Sequence, residues 1–213
     1  MSNNYLEFFR QFRQRYETTG AIAPSSRGLA RAMSRPLCES EHRPARVLEI
    51  GPGTGAVTGH IIQALGPEDT FDLVELNESF AGLLRKRFDT DPQWQNVSDR
   101  SELHVCPIQE FQSEAPYDYI VSGLPLNNFP ADLVEEIFRV YFRLLAPAGV
   151  LSYFEYMYVR TIRKRIGKKQ ARERLTKIDE TMGSYVHRHG FKCDSVLINL
   201  PPAWVQHLRN TRD

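Results

Sequence analysis

The sequence has few cysteines. Cys38, Cys106 and Cys193 are widely spaced, odd in number and form no CxxC pair. That excludes a disulfide framework and suits reduced thiols in a cytoplasmic protein. A metal-ligand pattern is missing too. His187, His189 and Cys193 lie near one another in the chain but without a second ligand pair, so no metal is expected. No apolar run approaches the roughly 18 to 20 residues of a spanning helix, because Arg143, Pro147 and Glu155 interrupt the best candidate. The first residues carry no secretory apolar segment. A membrane role is therefore expected to be peripheral. Internal repeats and low-complexity segments are also absent, and 213 residues with 41% hydrophobic and 25% charged side chains can bury one sizeable core.

The chain has no overall excess of one charge, since its formal net charge is +1, but the distribution is uneven. Residues 1 to 35 carry six basic and two acidic side chains, and residues 160 to 178 carry nine basic groups against Glu173 alone. Residues 36 to 159 hold eight basic and nineteen acidic groups. Two basic segments flanking an acidic body point to an anionic partner met by a defined face.

What is present is an alternation. RVLEI, FDLVEL, ELHVCP, YDYIVSGL and GVLSYFEY are short, apolar and rich in β-branched or aromatic residues, and most precede a stretch of helical periodicity. This predicts an α/β fold with a mostly parallel sheet and helices on both faces. Helices are expected from about Ala56 to Leu65, Glu78 to Phe88 and Pro130 to Leu145, with a long basic helix from about Arg160. KCDSVLINL and AWVQHL, separated by Pro201 and Pro202, read as a closing pair of strands.

The stretch LEIGPGTGAVTGHI follows the first strand and opens a helix, where Gly51, Gly53 and Gly55 let backbone approach a ligand without a Cβ in the way. A phosphate loop of the GKS or GKT kind is excluded because this loop ends in GAVT. Gly51, Gly53 and Ala56 satisfy the dinucleotide spacing GxGxxA, and Glu75 lies where a ribose-binding acid belongs. Glu49 decides against a dinucleotide: a carboxylate at the loop mouth repels a pyrophosphate and suits a ligand bearing an ammonium and a sulfonium.

The pattern E-x-G-x-G-x-G with an acid after the next strand resembles the class I methyltransferases that use S-adenosylmethionine, over about residues 45 to 156. The resemblance implies a Rossmann-like sheet of seven strands, S-adenosylmethionine as cofactor and S-adenosylhomocysteine as product. It implies that Glu49, Gly51, Gly53 and Gly55 line the methionine part of the cofactor. Glu75, followed by Leu76, would hold the ribose hydroxyls, Ile108 and Gln109 would flank the adenine, and Ser122 would close the site from the fourth strand.

The acceptor is read at VSGLPLNNFP, which ends the fourth strand. The rRNA adenine dimethyltransferases, which share a similar glycine loop, carry N-L-P-Y there to receive a flipped base. This chain has Gly123, Leu124, Pro125 and Leu126, without the amide or the stacking ring, so no nucleic acid partner is expected. Phe8, Phe9, Phe12 and Tyr16, with Tyr5, fall in one broad helical stripe flanked by Arg10, Arg13 and Arg15. Two readings stand: a helix whose aromatics dock in the core, or an interfacial helix that buries rings among lipid headgroups and holds arginines near phosphate. The basic helix begins just after the fifth strand, so Arg160, Arg163, Lys164 and Lys168 are expected near the cofactor edge of the sheet.

TGAIAPSS with the following LARAM, LEIGPGTGAVT, SGLPL with a nearby Phe-Pro, and NLPPAWV together resemble the bacterial phosphatidylethanolamine N-methyltransferases of the PmtA type. Nearly the whole chain is covered. The family carries Gln-Phe-Thr-Tyr-Gly-Pro on the fifth strand, where this chain has Tyr153, Phe154, Glu155, Tyr156, Met157 and Tyr158. The tyrosine matches and the Gly-Pro does not. The resemblance implies N-methylation of an aminolipid headgroup, phosphatidylethanolamine toward phosphatidylcholine, with an ornithine lipid, an rRNA or a small molecule as alternatives. The expected partner is an anionic bilayer surface at the inner face of the cytoplasmic membrane. Tyr156 is expected to contact the amine, with Tyr16 and Phe129 as walls. Residues 1–35 are expected to form a membrane-binding or lid appendage on a catalytic domain of residues 36–213.

Overall fold

In this computed structural model the residues described are 26–41, 44–157, 169–199 and 201–211. Their strands β1 (Arg46–Ile50), β2 (Thr70–Val74), β3 (Ser101–His104), β4 (Tyr117–Ser122), β5 (Leu145–Tyr156), β6 (Gly190–Val196) and β7 (Ala203–Arg209) form one sheet in the order β3-β2-β1-β4-β5-β7-β6. The pairs from β3 through β5 are parallel, and β7 runs antiparallel to both β5 and β6. The sheet is therefore mostly parallel and ends in the expected pair of closing strands. The chain reverses its direction of travel across the sheet between β1 and β4, which opens a crevice at the carboxyl ends of these strands.

Helices α1 (Arg27–Cys38), α2 (Thr58–Ala64), α3 (Glu78–Thr90) and the single turn α4 (Pro92–Gln95) cover one face. Helices α5 (Ala131–Leu144) and α6 (Lys169–His189) cover the other. Side-chain caps set several starts: Ser26 Oγ accepts from the Leu29 amide at 3.2 Å, and Asn77 Oδ1 from the Ser79 amide at 2.9 Å. Asp91 caps α4 ahead of Pro92, which suits a first turn because its missing N–H would have no helical partner. Helix α5 buries Leu133, Val134, Ile137, Phe138 and Tyr141, a stripe at helical spacing. Helix α6 answers with Leu175, Ile178 and Met182, and Tyr185 stacks on Phe138 with centroids 4.7 Å apart.

Two expectations change. The helix after the glycine loop starts at Thr58 rather than Ala56, because residues 53–57 form turns that contain Gly53 and Gly55, both left-handed like Gly51 before them. The domain boundary expected at residue 35 falls inside α1, whose Leu29, Ala30, Met33 and Leu37 are buried against α2 and the sheet. Residues 27–35 thus belong to the globular body. The aromatic segment with Phe8, Phe9, Arg10, Phe12, Arg13 and Tyr16, and the basic residues Arg160, Arg163, Lys164 and Lys168, lie outside the described residues. Among the described residues no helix is long and apolar enough to cross a membrane.

Candidate active site

The glycine loop is shaped by backbone that only glycine adopts readily. Gly51, Gly53 and Gly55 have φ of 69°, 57° and 81°. At Gly55 a Cβ would stand 2.7 Å from Trp94 Cη2, and at Gly51 2.8 Å from Leu124 Cδ2. Above Gly53 nothing lies within 4 Å of an added Cβ, so this glycine faces open space. The loop is held by its neighbours: the Gly51 amide donates to the Val74 carbonyl at 2.9 Å, and the Gly123 amide to the Ile50 carbonyl at 2.8 Å. A Cβ on Gly123 would meet the Gly51 carbonyl at 2.6 Å, so the ends of β1 and β4 touch backbone to backbone.

Both expected carboxylates are at this edge. Glu75 follows β2 and is 7% exposed, its Oε2 accepting from the Gly53 amide at 3.0 Å and its Oε1 from the Asn77 amide at 2.8 Å. Each oxygen keeps a lone pair for another donor. Burial raises the Glu75 pKa, and the backbone donors at Asn77, Gly53 and Leu76 oppose that shift. Glu49 is 2% exposed at the end of β1. Burial first, and the Glu75 charge in addition, push its pKa to about 8 against a smaller lowering by the Thr58 hydroxyl. Thr58 Oγ1 and Glu49 Oε2 do not reach hydrogen-bonding geometry with each other or with any other group. A buried acid with an unpaired oxygen at the mouth of an open glycine loop has the chemistry to receive a cationic group.

Sequence comparison agrees with this geometry. Residues 48–151 match the family described as "Methyltransferase domain". An ornithine lipid N-methyltransferase of Singulisphaera acidiphila is 30% identical over 154 residues, 72% of this chain and 79% of that protein. The chain belongs to the class I S-adenosylmethionine-dependent methyltransferases.

A lovastatin diketide synthase of Aspergillus terreus is 38% identical over 123 residues, 56% of this chain and only 5% of that protein. The fold is shared with N-methyltransferase NodS from Bradyrhizobium japonicum in complex with S-adenosylhomocysteine. There the TM-score is 0.63 at 15% identity, over 93% of this chain and 98% of that one. The O-methyltransferase TomG of Streptomyces achromogenes, in complex with S-adenosylmethionine, gives 0.62 at 18%, over 89% and 81%.

The residues present fit the methyltransferase cofactor. The unpaired Glu49 oxygen would meet its ammonium, the open space at Gly53 would take its methionine part, and the free lone pairs of Glu75 would accept from ribose hydroxyls. Gln109, on the loop after β3, has its Oε1 buried without a hydrogen-bond partner, an acceptor suited to an adenine amine. When bound, the cofactor supplies an electrophilic methyl group on sulfur.

The remaining expected site residues divide between the core and this edge. Ser122 is fully buried, and its hydroxyl bonds the Tyr141 hydroxyl at 2.5 Å in the α5-side core. It turns away because β4 alternates sides and Val121 takes the α1 side. Phe129, expected as a wall of the amine site, is 1% exposed and belongs to the same core, as does Ile108. Leu76 is half-buried beside Glu75. Tyr156 ends β5 at the cofactor edge, half-buried and edge-on to Phe154 with centroids 5.2 Å apart. Burial raises its phenol pKa, so it offers a neutral ring and hydroxyl rather than a base.

Trp94 and Arg87 escape the sequence reading. Trp94, 1% exposed, props Gly55 from below, with the Arg87 guanidinium 4.2 Å over its ring. Arg87 also donates to the Thr54 and Gly55 carbonyls at 3.4 Å. No local motif connects a tryptophan after an Asp-Pro turn with a loop some forty residues earlier.

Proposed function

We propose that this methyltransferase N-methylates the amine of a membrane lipid headgroup, an ornithine lipid being the favoured acceptor. The observation that carries the reading is the relative named as an ornithine lipid N-methyltransferase, which matches over most of both chains. The missing Asn and aromatic at residues 123–126 speak against a flipped base, and the Tyr156 ring at the cofactor edge suits an amine. Phosphatidylethanolamine is the second reading, supported by the resemblance of TGAIAPSS, SGLPL and NLPPAWV to the PmtA-type enzymes.

In-line transfer requires a neutral amine about 3 Å from the methyl carbon, so positioning is the main task of the chain. A lipid ammonium has a pKa near 10, so only about a thousandth is neutral at pH 7. An apolar mouth beside Tyr156 shifts that balance by desolvating the charged form. The aromatic face also accepts the methylated, permanently cationic product. Tyr16, Phe8, Phe9, Phe12, Arg10 and Arg13 from the first segment, with Arg160, Arg163, Lys164 and Lys168, complete the proposed membrane face.

The test is to incubate pure protein and labelled cofactor with vesicles of ornithine lipid, vesicles of phosphatidylethanolamine, and RNA. Label in the organic extract on the ornithine headgroup is the expected result. Label on phosphatidylethanolamine alone selects the second reading, and label on RNA alone defeats both.

A further inference from the structure

The turn between β6 and β7 carries the most exposed large apolar side chains among the described residues. Ile198 is 93% exposed and Leu197 69%. Val196 pairs with Ala203, and Ala203 with Tyr156, so the turn leaves the sheet at the carboxyl edge of β5, where the candidate site lies. Such turns are ordinarily built from Gly, Asn, Asp and Ser. The run VLINLPPA has no charge and only one polar side chain.

That side chain is spent within the protein. Asn199 Nδ2 donates to the Pro201 carbonyl at 2.7 Å, and its Oδ1 accepts from the Ser26 amide at 3.3 Å. The Pro202 carbonyl accepts from the Met157 amide at 2.8 Å. Pro201 and Pro202 have no N–H that would lose its water in an apolar medium. The turn is thus pinned to the start of α1 and the end of β5, with two apolar side chains left outward.

Arg27 and Arg31 stand one helical turn apart on the exposed side of the same end of α1. Their charges, after burial, help hold the pKa of His60 below its ordinary value, which marks a cationic ledge running from α1 toward α2.

We propose that the Leu197 and Ile198 turn inserts into the acyl boundary of an anionic phospholipid surface while Arg27 and Arg31 meet the phosphates, setting the methyl-transfer edge against the bilayer. This deepens the lipid reading above and rests on it for the identity of the surface. A protein partner would need roughly 800 Å² of matched surface. A two-residue apolar tip beside cations suits a bilayer, which asks for no shape match.

The experiment compares the full chain with its Leu197→Ser/Ile198→Ser variant, using vesicles of phosphatidylcholine and phosphatidylglycerol without any aminolipid. Circular dichroism and unchanged affinity for S-adenosylhomocysteine establish that the variant is folded. Vesicle partitioning is expected to fall roughly 10-fold or more. Tryptophan emission of an Ile198→Trp variant is expected to shift blue on vesicles and to be quenched by brominated acyl chains. Equal partitioning of wild type and double variant, or no quenching, overturns the proposal. So does a change of oligomeric state with vesicle binding intact, which would make the turn a protein contact. Methylation of ornithine lipid is assayed separately: its failure with turn-dependent vesicle binding intact removes the headgroup reading and leaves the insertion standing.

Discussion

The carboxylate of Glu75 accepts a hydrogen bond from the amide of Gly53 at 3.0 Å, joining the acid that ends β2 to the open side of the glycine loop. One residue thereby shapes the loop and offers lone pairs to a ligand. Glu75→Ala is expected to weaken binding of S-adenosylhomocysteine by on the order of 1.5 to 3 kcal/mol, from charge-assisted hydrogen bonds lost to the ribose and a loosened loop. Titration calorimetry measures it. Unchanged affinity in a folded variant would move the ribose site elsewhere.

Glu49 predicts a pH dependence. Its folded pKa of about 8 lies above its ordinary value of 4.5, so the folded state binds the proton more tightly than the unfolded chain. The stability this contributes is fully present below pH 4.5 and is lost as pH rises through about 8. Melting temperatures of the ligand-free protein and of Glu49→Gln should therefore converge on the acid side and diverge in favour of the variant as pH rises toward 9 (about one unit above that pKa). Binding of S-adenosylhomocysteine near neutral pH should release protons, because an ammonium beside Glu49 favours its ionised form. Calorimetry in buffers of different ionisation heat reads this, and heats that do not vary with buffer would refute it.

The glycines separate folding from binding. Gly53→Ala meets nothing within 4 Å and has only its left-handed φ to oppose it, a strain of about 1 to 2 kcal/mol. It should melt close to the wild type yet lose cofactor affinity, since the added methyl fills the open space. Gly123→Ala would drive a methyl against the Gly51 carbonyl and should cost roughly 2 to 3 kcal/mol of stability. Denaturant titrations rank the two stabilities, and unchanged affinity for S-adenosylhomocysteine in Gly53→Ala would mean that the space above Gly53 is not the ligand's.

A polar chain on the α1 side links four elements. Ser152 Oγ bonds His207 Nδ1 at 2.8 Å, His207 Nε2 bonds Asp194 Oδ2 at 3.1 Å, and Arg35 pairs with Asp194 Oδ1 at 3.0 Å. Ser152 and His207 are both buried. His207→Leu leaves the Ser152 hydroxyl unpaired and should destabilise the fold by about 1 to 3 kcal/mol with little change in cofactor affinity. Equal stability in urea would mean that the chain contributes nothing net.

Deleting residues 1 to 17, which lie outside the described residues, should spare most cofactor affinity and abolish activity on vesicles, with a smaller loss on a monomeric short-chain aminolipid. Comparing the two rates in intact and truncated protein checks it. Equal losses would make the segment part of the site rather than an anchor.

The sequence by itself determined the strand, glycine loop and two acids, because that unit is local: the backbone needs at Gly51, Gly53 and Gly55, and the strand ends that carry Glu49 and Glu75, lie within one short stretch. It also determined the alternation that builds the sheet and its closing pair. Only the tertiary structure decided which way individual side chains face. Ser122 and Phe129 read as site residues by position, but the pleat of β4 sends the Ser122 hydroxyl to Tyr141, and Phe129 sinks under α5. Trp94 beneath Gly55, the chain from Ser152 to Arg35, and the contact of Asn199 with Ser26 join residues far apart in sequence. Such contacts leave no periodic trace, because they are chosen by how the elements pack and not by the preference of any one segment.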